Sequence, residues 1–374
     1  MAASESLGGV PESAWDRLAG PHFYSSSMWL GHCADGSPHP PAAVAARQGD
    51  RTVAVPVTPG YTPKQANYDW AATLAGRGLP GIPGTGTLVG PTQGYQTALL
   101  GDLTDAGLVA EALRRARDTL DPSSGDASCV AMFLDTEGAR AAERAGVEAV
   151  PVLLEPDAWI EVPEGGWDAW IASFPSKRRI SIRREVRAFE EAGFTVSHVP
   201  LGECWELLPD LTVPAAAKYG ASTERERFVK AFSTYVRTTG DAARVALCRR
   251  DGEPVGFCIY YVWQDSVFLR WAAFDYARLA KAAEYFNVVY YSQIALARQL
   301  GVRRLHAGKK TLDAKVNRGA RLRPLWLLDL SADSALAGHG ELIRKHNADR
   351  LAAIEEDPAL ARAITDREEW THFC

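Results

Sequence analysis

The sequence predicts an α+β protein of two lobes, each a mixed sheet flanked by helices. Three observations carry that reading. Residues 244–248, 255–263 and 267–274 are runs rich in β-branched and aromatic residues, divided by turn signals at Arg250-Asp-Gly-Glu253 and Gln264-Asp265. An Asp-Gly between such runs marks a hairpin, so the three form an antiparallel meander. Next, Phe286, Val289, Tyr290, Ile294 and Leu300 recur near helical spacing up to Gly301, and a short strand follows at 304–306. Finally, 374 residues suffice for two cores, and a simpler run of hairpin, helix, strand, helix and strand precedes residue 162. The lobes are expected at 1–150 and 151–330, the first a degenerate copy of the second, with a helical tail at 331–374.

Residues 1–35 read as amphipathic helical pieces carrying Trp15, Leu18, Phe23, Trp29 and Leu30. The runs 44–47 and 52–57 flank Gln48-Gly-Asp-Arg51, a hairpin signal. Residues 58–96 are rich in Gly and Pro and read as loop. They could cradle a phosphate, but they lack a Walker lysine and a strand–helix frame. Helices are expected at 106–119 and 137–145, a strand at 128–134 and a long extended segment at 150–162. One or two helices fill 167–192, with Pro175 resetting the first turn. Their apolar stripe is Ile182, Val186 and Phe189; Lys177, Arg183, Arg184 and Arg187 take an adjoining face. A strand at 194–199 and helices at 202–218 and 223–238 lead into the meander. The tail, 333–356, is a polar amphipathic helix read as packing or dimer surface.

Composition is that of an ordinary soluble protein, 47% hydrophobic and 23% charged. No apolar run is long enough to span a membrane, and Met1-Ala-Ala-Ser-Glu5 has no secretion pattern, which points to the cytoplasm. The six cysteines have no metal-ligand spacing and read as free thiols, Cys129, Cys248 and Cys258 in the core. The net charge of −5 argues against a general nucleic-acid binder. Yet residues 177–187 hold six Lys/Arg against Glu185 alone, and residues 298–323 hold nine against Asp313 alone. Two basic islands on an acidic body suit a protein that grips an anion at one place; solvated helix faces are the plain alternative.

Three stretches carry a family resemblance. Ser176-Lys-Arg-Arg-Ile-Ser-Ile-Arg-Arg-Glu-Val-Arg187, Glu284-Tyr-Phe-Asn-Val-Val-Tyr-Tyr291, and Gly301-Val-Arg-Arg-Leu-His306 running on through 314–324 resemble an actinobacterial branch of GNAT-like proteins related to the Fem-type peptidoglycan aminoacyltransferases. The order β-β-β-α-β-α-β is likewise that of a GNAT acyltransferase core. The resemblance implies tandem GNAT-like lobes and amide-forming transfer of an acyl or aminoacyl group to an amine. In Fem-type enzymes it implies an aminoacyl-tRNA donor and a lysine late in the second lobe, which Lys315 matches by position. No long coiled-coil arm separates the lobes, so a small amine in secondary metabolism fits as well as a lipid-linked acceptor.

One junction bears on the donor. A GNAT enzyme that uses acyl-CoA usually holds the pyrophosphate on a glycine-rich turn after the fourth strand. Residues 275–285 contain no glycine, which hinders close backbone approach to a phosphate. Side chains of the basic islands can hold an RNA end instead. Aminoacyl-tRNA is therefore the expected donor, acyl-CoA or an acyl carrier protein the alternative, with no bound cofactor. Lys315, or Lys309 and Lys310, would stabilise the oxyanion. Asp275 is the candidate base or a helix N-cap, with Tyr276 and Tyr291 as hydrogen-bonding neighbours. Arg179, Arg183, Arg187 and Arg318 would bind phosphate or support structure. Trp271 could stack on substrate or pack the core, and Asn287 contacts substrate or is satisfied internally. A non-catalytic binding protein on the same scaffold is the reading from a different class.

Overall fold

The computed structural model describes residues 6–120 and 127–374; the reading of Met1–Glu5 lies outside them. Two compact units form. The first comprises residues 1–158, 309–316 and 321–374, and the second residues 159–308 and 317–320.

In the second unit the meander forms as expected. Ala243–Arg250, Glu253–Trp263 and Ser266–Phe274 pair antiparallel, with Phe194–Pro200 outside the first of them. Arg304–Gly308 then pairs parallel with Ser266–Phe274 through only three positions, the last being Phe268↔His306. The two strands carry no further paired positions toward Phe274. A register shift between Ile259 and Tyr260 leaves Arg270 without an opposite residue, so the strand bulges where that pairing ends. The sheet is completed by the end of Val152–Glu161, where the Val162 N–H meets the Arg303 carbonyl at 2.7 Å. The helical run 284–300 has the expected periodicity, but Asn287–Tyr291 forms a π-helical turn within it. Wide turns of this kind are uncommon and gather at functional sites.

The first unit holds the strand order Ala42–Gln48, Arg51–Tyr61, Gly86–Val89, Ser128–Leu134, Ala320–Asp329, Val152–Glu161. From Ala42 its own chain runs β-β-α-β-β-α-β-α-β, with the helix Trp70–Ala75 before Gly86–Val89, the two-residue strand Leu100–Gly101 after it, and then Ala106–Arg117 and Thr136–Arg144. The third strand, Gly86–Val89, corrects the loop expected at 58–96. Its glycine hid it: Gly86 sits at φ +145, and a Cβ there would lie 2.0 Å from the Ser128 carbonyl oxygen. Glycine is the residue that lets a parallel neighbour approach so closely. Gly94 in the same stretch is packed closely as well, since a Cβ there would strike the Tyr24 ring at 2.4 Å.

Both cores are aromatic. Trp15, Trp29 and Trp326 are fully buried in the first unit, and Trp326 Nε1 donates to Thr136 Oγ1 at 3.0 Å. Burial pushes the thiols of Cys129, Cys248 and Cys258 up to about 12, as core residues should behave. The tail helix Gly340–Glu355 buries Ile343 and Leu351, while Leu342, assigned to the same stripe from sequence, is 45% exposed. Between the buried pair sits Asn347. It accepts from the Leu153 N–H at 2.8 Å and donates to Pro151 O at 2.8 Å and Phe373 O at 2.7 Å. Asn347→Ala orphans all three buried groups, and each can cost ~1–3 kcal/mol. Urea unfolding is expected to show a loss of about 3 kcal/mol, given partial relaxation; a loss below about 1 kcal/mol contradicts the staple.

Candidate active site

Two groups of polar side chains stand out, one in each unit. In the first unit the loop after Gly308 and the short helix Leu312–Val316 present Lys309 and Lys315, which are 6% and 4% exposed. Lys309 Nζ donates to Asn67 Oδ1 at 3.0 Å and lies 4.4 Å from the Phe133 ring centre and 4.9 Å from that of Tyr95. Phe133 holds φ +59 within the strand Ser128–Leu134. A bulky residue in the left-handed region is strained by roughly 1–3 kcal/mol, and such strain gathers at active sites. Asp157 is 1% exposed and accepts from Gln96 Nε2 at 2.7 Å.

Burial lowers the Lys309 ammonium to about 8; Glu155 opposes the shift, while Lys310 and Arg77 reinforce it. Burial likewise lowers Lys315 to about 8 against the attraction of Asp157. At neutral pH both lysines are mostly charged, and each presents a poorly hydrated ammonium able to meet a developing oxyanion. Lys310, the third lysine named from the sequence, is exposed.

In the second unit the centre is Glu185, on the basic helix Ser176–Glu191. Its carboxylate accepts from Arg318 Nη2 at 2.9 Å and from the Tyr291 hydroxyl, and Arg178 Nη1 lies 3.9 Å away. Arg318 is 3% exposed, its guanidinium 3.2 Å from the Phe286 ring centre. Burial raises the Tyr291 phenol above its ordinary range; Arg318 opposes this and Glu185 adds to it. Asn287 Nδ2 donates to the backbone carbonyls of Glu185 at 3.2 Å and Ala283 at 3.0 Å, so its amide is satisfied internally. Arg178 Nε bonds to Asn317 O at 2.7 Å, and Arg179 Nη1 to Phe174 O at 2.7 Å. Lys177, Arg183, Arg184 and Arg187 are exposed and make no ion pair among the described residues. The basic island 177–187 thus divides: Arg178 and Arg179 are engaged, while the other four face solvent.

The remaining sequence candidates are also placed. Asp275 caps the turn Tyr276–Arg278, accepting from the Ala277 N–H at 3.1 Å. The Tyr276 hydroxyl meets that of Tyr219 at 3.1 Å, with Lys218 Nζ 3.3 Å from its ring centre. Burial and the Tyr219 hydrogen bond raise its phenol, so Tyr276 does not supply a phenolate at neutral pH. Trp271 packs on Phe232 at 5.0 Å and is half-buried.

Sequence reading did not single out Asp157, Glu185, Phe133 or Asn67. Two of them left a trace: Glu185 is the sole acid of its basic island, and Asp157 interrupts an apolar strand. Nothing in the sequence marks the strained Phe133, which only tertiary packing fixes.

The sequence matches the FemAB-like family of peptidoglycan biosynthesis and recognition over residues 9–360. The chain belongs to the FemAB-like family. No curated protein matches it by sequence. FemX is similar in structure, with a TM-score of 0.59 at 10% identity, covering 87% of this chain and 96% of that one. The C-terminal domain of a putative lysylphosphatidylglycerol synthetase from Agrobacterium fabrum gives 0.53 at 11% identity, covering 89% and 96%. At such identities these likenesses show the fold alone, mixed sheet flanked by helices. Membership places the protein among those of peptidoglycan biosynthesis and recognition. No helix among the described residues is long and apolar enough to cross a membrane.

The lowered lysines set a pH test. Above about pH 8 the folded protein releases the Lys315 proton, while the unfolded chain keeps it up to its ordinary value of 10.5. Stability contributed at this position therefore rises from pH 8 to 10.5. Denaturant unfolding of wild type and Lys315→Met across that window should show the wild type gaining relative to the variant; a flat or falling difference refutes the dry placement of Lys315.

Proposed function

We propose that this FemAB-like protein is an aminoacyltransferase that moves an aminoacyl group from aminoacyl-tRNA to an amine acceptor. The supporting observation is the exposed row Lys177, Arg183, Arg184 and Arg187, carried by a helix whose inner face is fastened through Glu185. Unpaired cations on a rigid element suit the phosphate backbone of an RNA, whose grip by side chains is electrostatic and salt-dependent.

The acceptor amine, in its neutral form, attacks the ester carbonyl of the charged tRNA, and a C–N bond forms. The Lys315 ammonium stabilises the resulting oxyanion, with Lys309 as the neighbouring cation of the same unit. Collapse breaks the ester C–O bond, and the proton shed by the attacking nitrogen passes to the leaving ribose oxygen. Atoms and charge balance without an added oxidant or cofactor. Asp275 is assigned to the turn it caps, which leaves the substrate's own leaving group as the proton acceptor. The helices Leu208–Lys218 and Arg225–Thr239 are 11 and 15 residues long and joined by a short link, so this region forms no long coiled-coil arm. A small amine in secondary metabolism is therefore the proposed acceptor class.

The test incubates purified protein with charged tRNA or with acyl-CoA, plus candidate amines. RNase-sensitive amide formation from charged tRNA supports the reading; RNase-indifferent transfer from acyl-CoA overturns it. Lys315→Met should lower kcat ~10²–10³-fold, as loss of an oxyanion donor does, while circular dichroism shows that the variant still folds.

A further inference from the structure

Residues 279–283 join the turn Tyr276–Arg278 to the helical run that starts at Glu284. Two of them, Lys281 and Ala283, hold φ +59 although neither is glycine. Left-handed residues interspersed in such a loop turn nearby N–H groups toward one point and make a concavity suited to an anion. An anion is already there. The Ala280 N–H donates to Glu284 Oε1 at 2.6 Å, and the Ala282 N–H to Glu284 Oε2 at 3.0 Å. Each carboxylate oxygen takes one amide, and Glu284 is only 4% exposed.

The loop is held in this form from outside as well. Arg250 Nη1 donates to the Arg278 carbonyl at 3.2 Å, Arg278 Nη1 to Pro254 O at 3.0 Å, and Asn287 Nδ2 to Ala283 O at 3.0 Å. The loop is thus held at its two ends, through the carbonyls of Arg278 and Ala283. A phosphate arriving here meets saturated donors and a carboxylate of its own sign.

We infer that Glu284 is a specificity-determining residue, an internal carboxylate that closes the concavity at 280–284 to the diphosphate of small donors such as acyl-CoA. The inference deepens the donor reading above, since a donor excluded from main-chain amides must be gripped by side chains. It concerns binding alone and involves no turnover.

Isothermal titration of inorganic pyrophosphate and of coenzyme A into wild type, Glu284→Ala and Glu284→Ser tests it. Circular dichroism melts establish which variants fold, and amide NMR follows Ala280 and Ala282. Wild type should leave both amide signals unmoved. A folded variant should bind pyrophosphate at least ~10-fold more tightly, ~1.4 kcal/mol, with both signals shifting. Folded variants that gain nothing overturn the inference. Should both variants unfold, the wild type decides: pyrophosphate or coenzyme A shifting those two amides overturns it, and silence there upholds it. A negative tRNA assay leaves these titrations unaffected, so the two readings fail separately.

Discussion

Burying charge is the constraint around which this protein is arranged. Lys309, Lys315 and Arg318 are each less than a tenth exposed, and taking an ion out of water costs several kcal/mol even after relaxation. Each is compensated by different means. Lys309 has one amide oxygen and two aromatic faces, Lys315 feels Asp157, and Arg318 has the Glu185 carboxylate and the Phe286 ring. The quality of compensation separates them. Arg318 is matched by a full opposite charge at 2.9 Å, so it reads as a strut. For the lysines burial outweighs the attraction of their neighbours, and both are lowered to about 8. A dry ammonium of this kind is suited to meeting charge that develops during a reaction.

The backbone shows the same economy. Among the described residues outside glycine, six adopt positive φ, and four of them flank the groups at issue: Phe133 beneath Lys309, Thr311 between Lys309 and Lys315 in the chain, and Lys281 and Ala283 around the Glu284 carboxylate. Such conformations persist only where surrounding packing over-determines them. Phe133 is fixed by edge contacts with Tyr68 at 5.4 Å and Tyr95 at 6.0 Å. Lys281 and Ala283 are held by the hydrogen bonds of the Ala280 and Ala282 N–H groups to Glu284 and by that of Asn287 to the Ala283 carbonyl. Strain in the first unit therefore shapes an aromatic floor for a cation; strain in the second shapes an anion hole that the chain fills itself.

Much of the framework was legible because periodicity and turn chemistry are local. The Asp-Gly turn, the alternating meander, the helix ended by Gly301 and the buried thiols were all visible in short windows. Gly86–Val89 was not, because its glycine answers to Ser128, which lies far along the chain. The candidate site was half legible. Residue types named Lys309, Lys315 and the exposed arginines, but which cation of the basic island stays free depends on distant partners. Arg178 and Arg318 look no different in sequence from Arg183 and Arg187. They differ because Glu185 faces inward and takes Arg318, while the other helix face carries no acid that pairs with Arg183 or Arg187.

That asymmetry bears on the polyanionic donor proposed above, because the chain is acidic overall. With a net charge of −5, long-range attraction cannot select RNA, and screening at physiological salt confines each cation's reach to about 8 Å. Selection must then come from a short row of cations held in fixed positions. Glu185 provides the fixing: by binding Arg318 and Tyr291 it sets the rotation of the helix, so Lys177, Arg183, Arg184 and Arg187 point together to solvent. Replacing Glu185 with an apolar residue would strand the buried Arg318 and free the helix to turn. The effect on donor affinity would then exceed what the loss of one exposed charge explains. An acid inside a basic island, which looks like dilution of its charge, is on this argument what gives the island a direction.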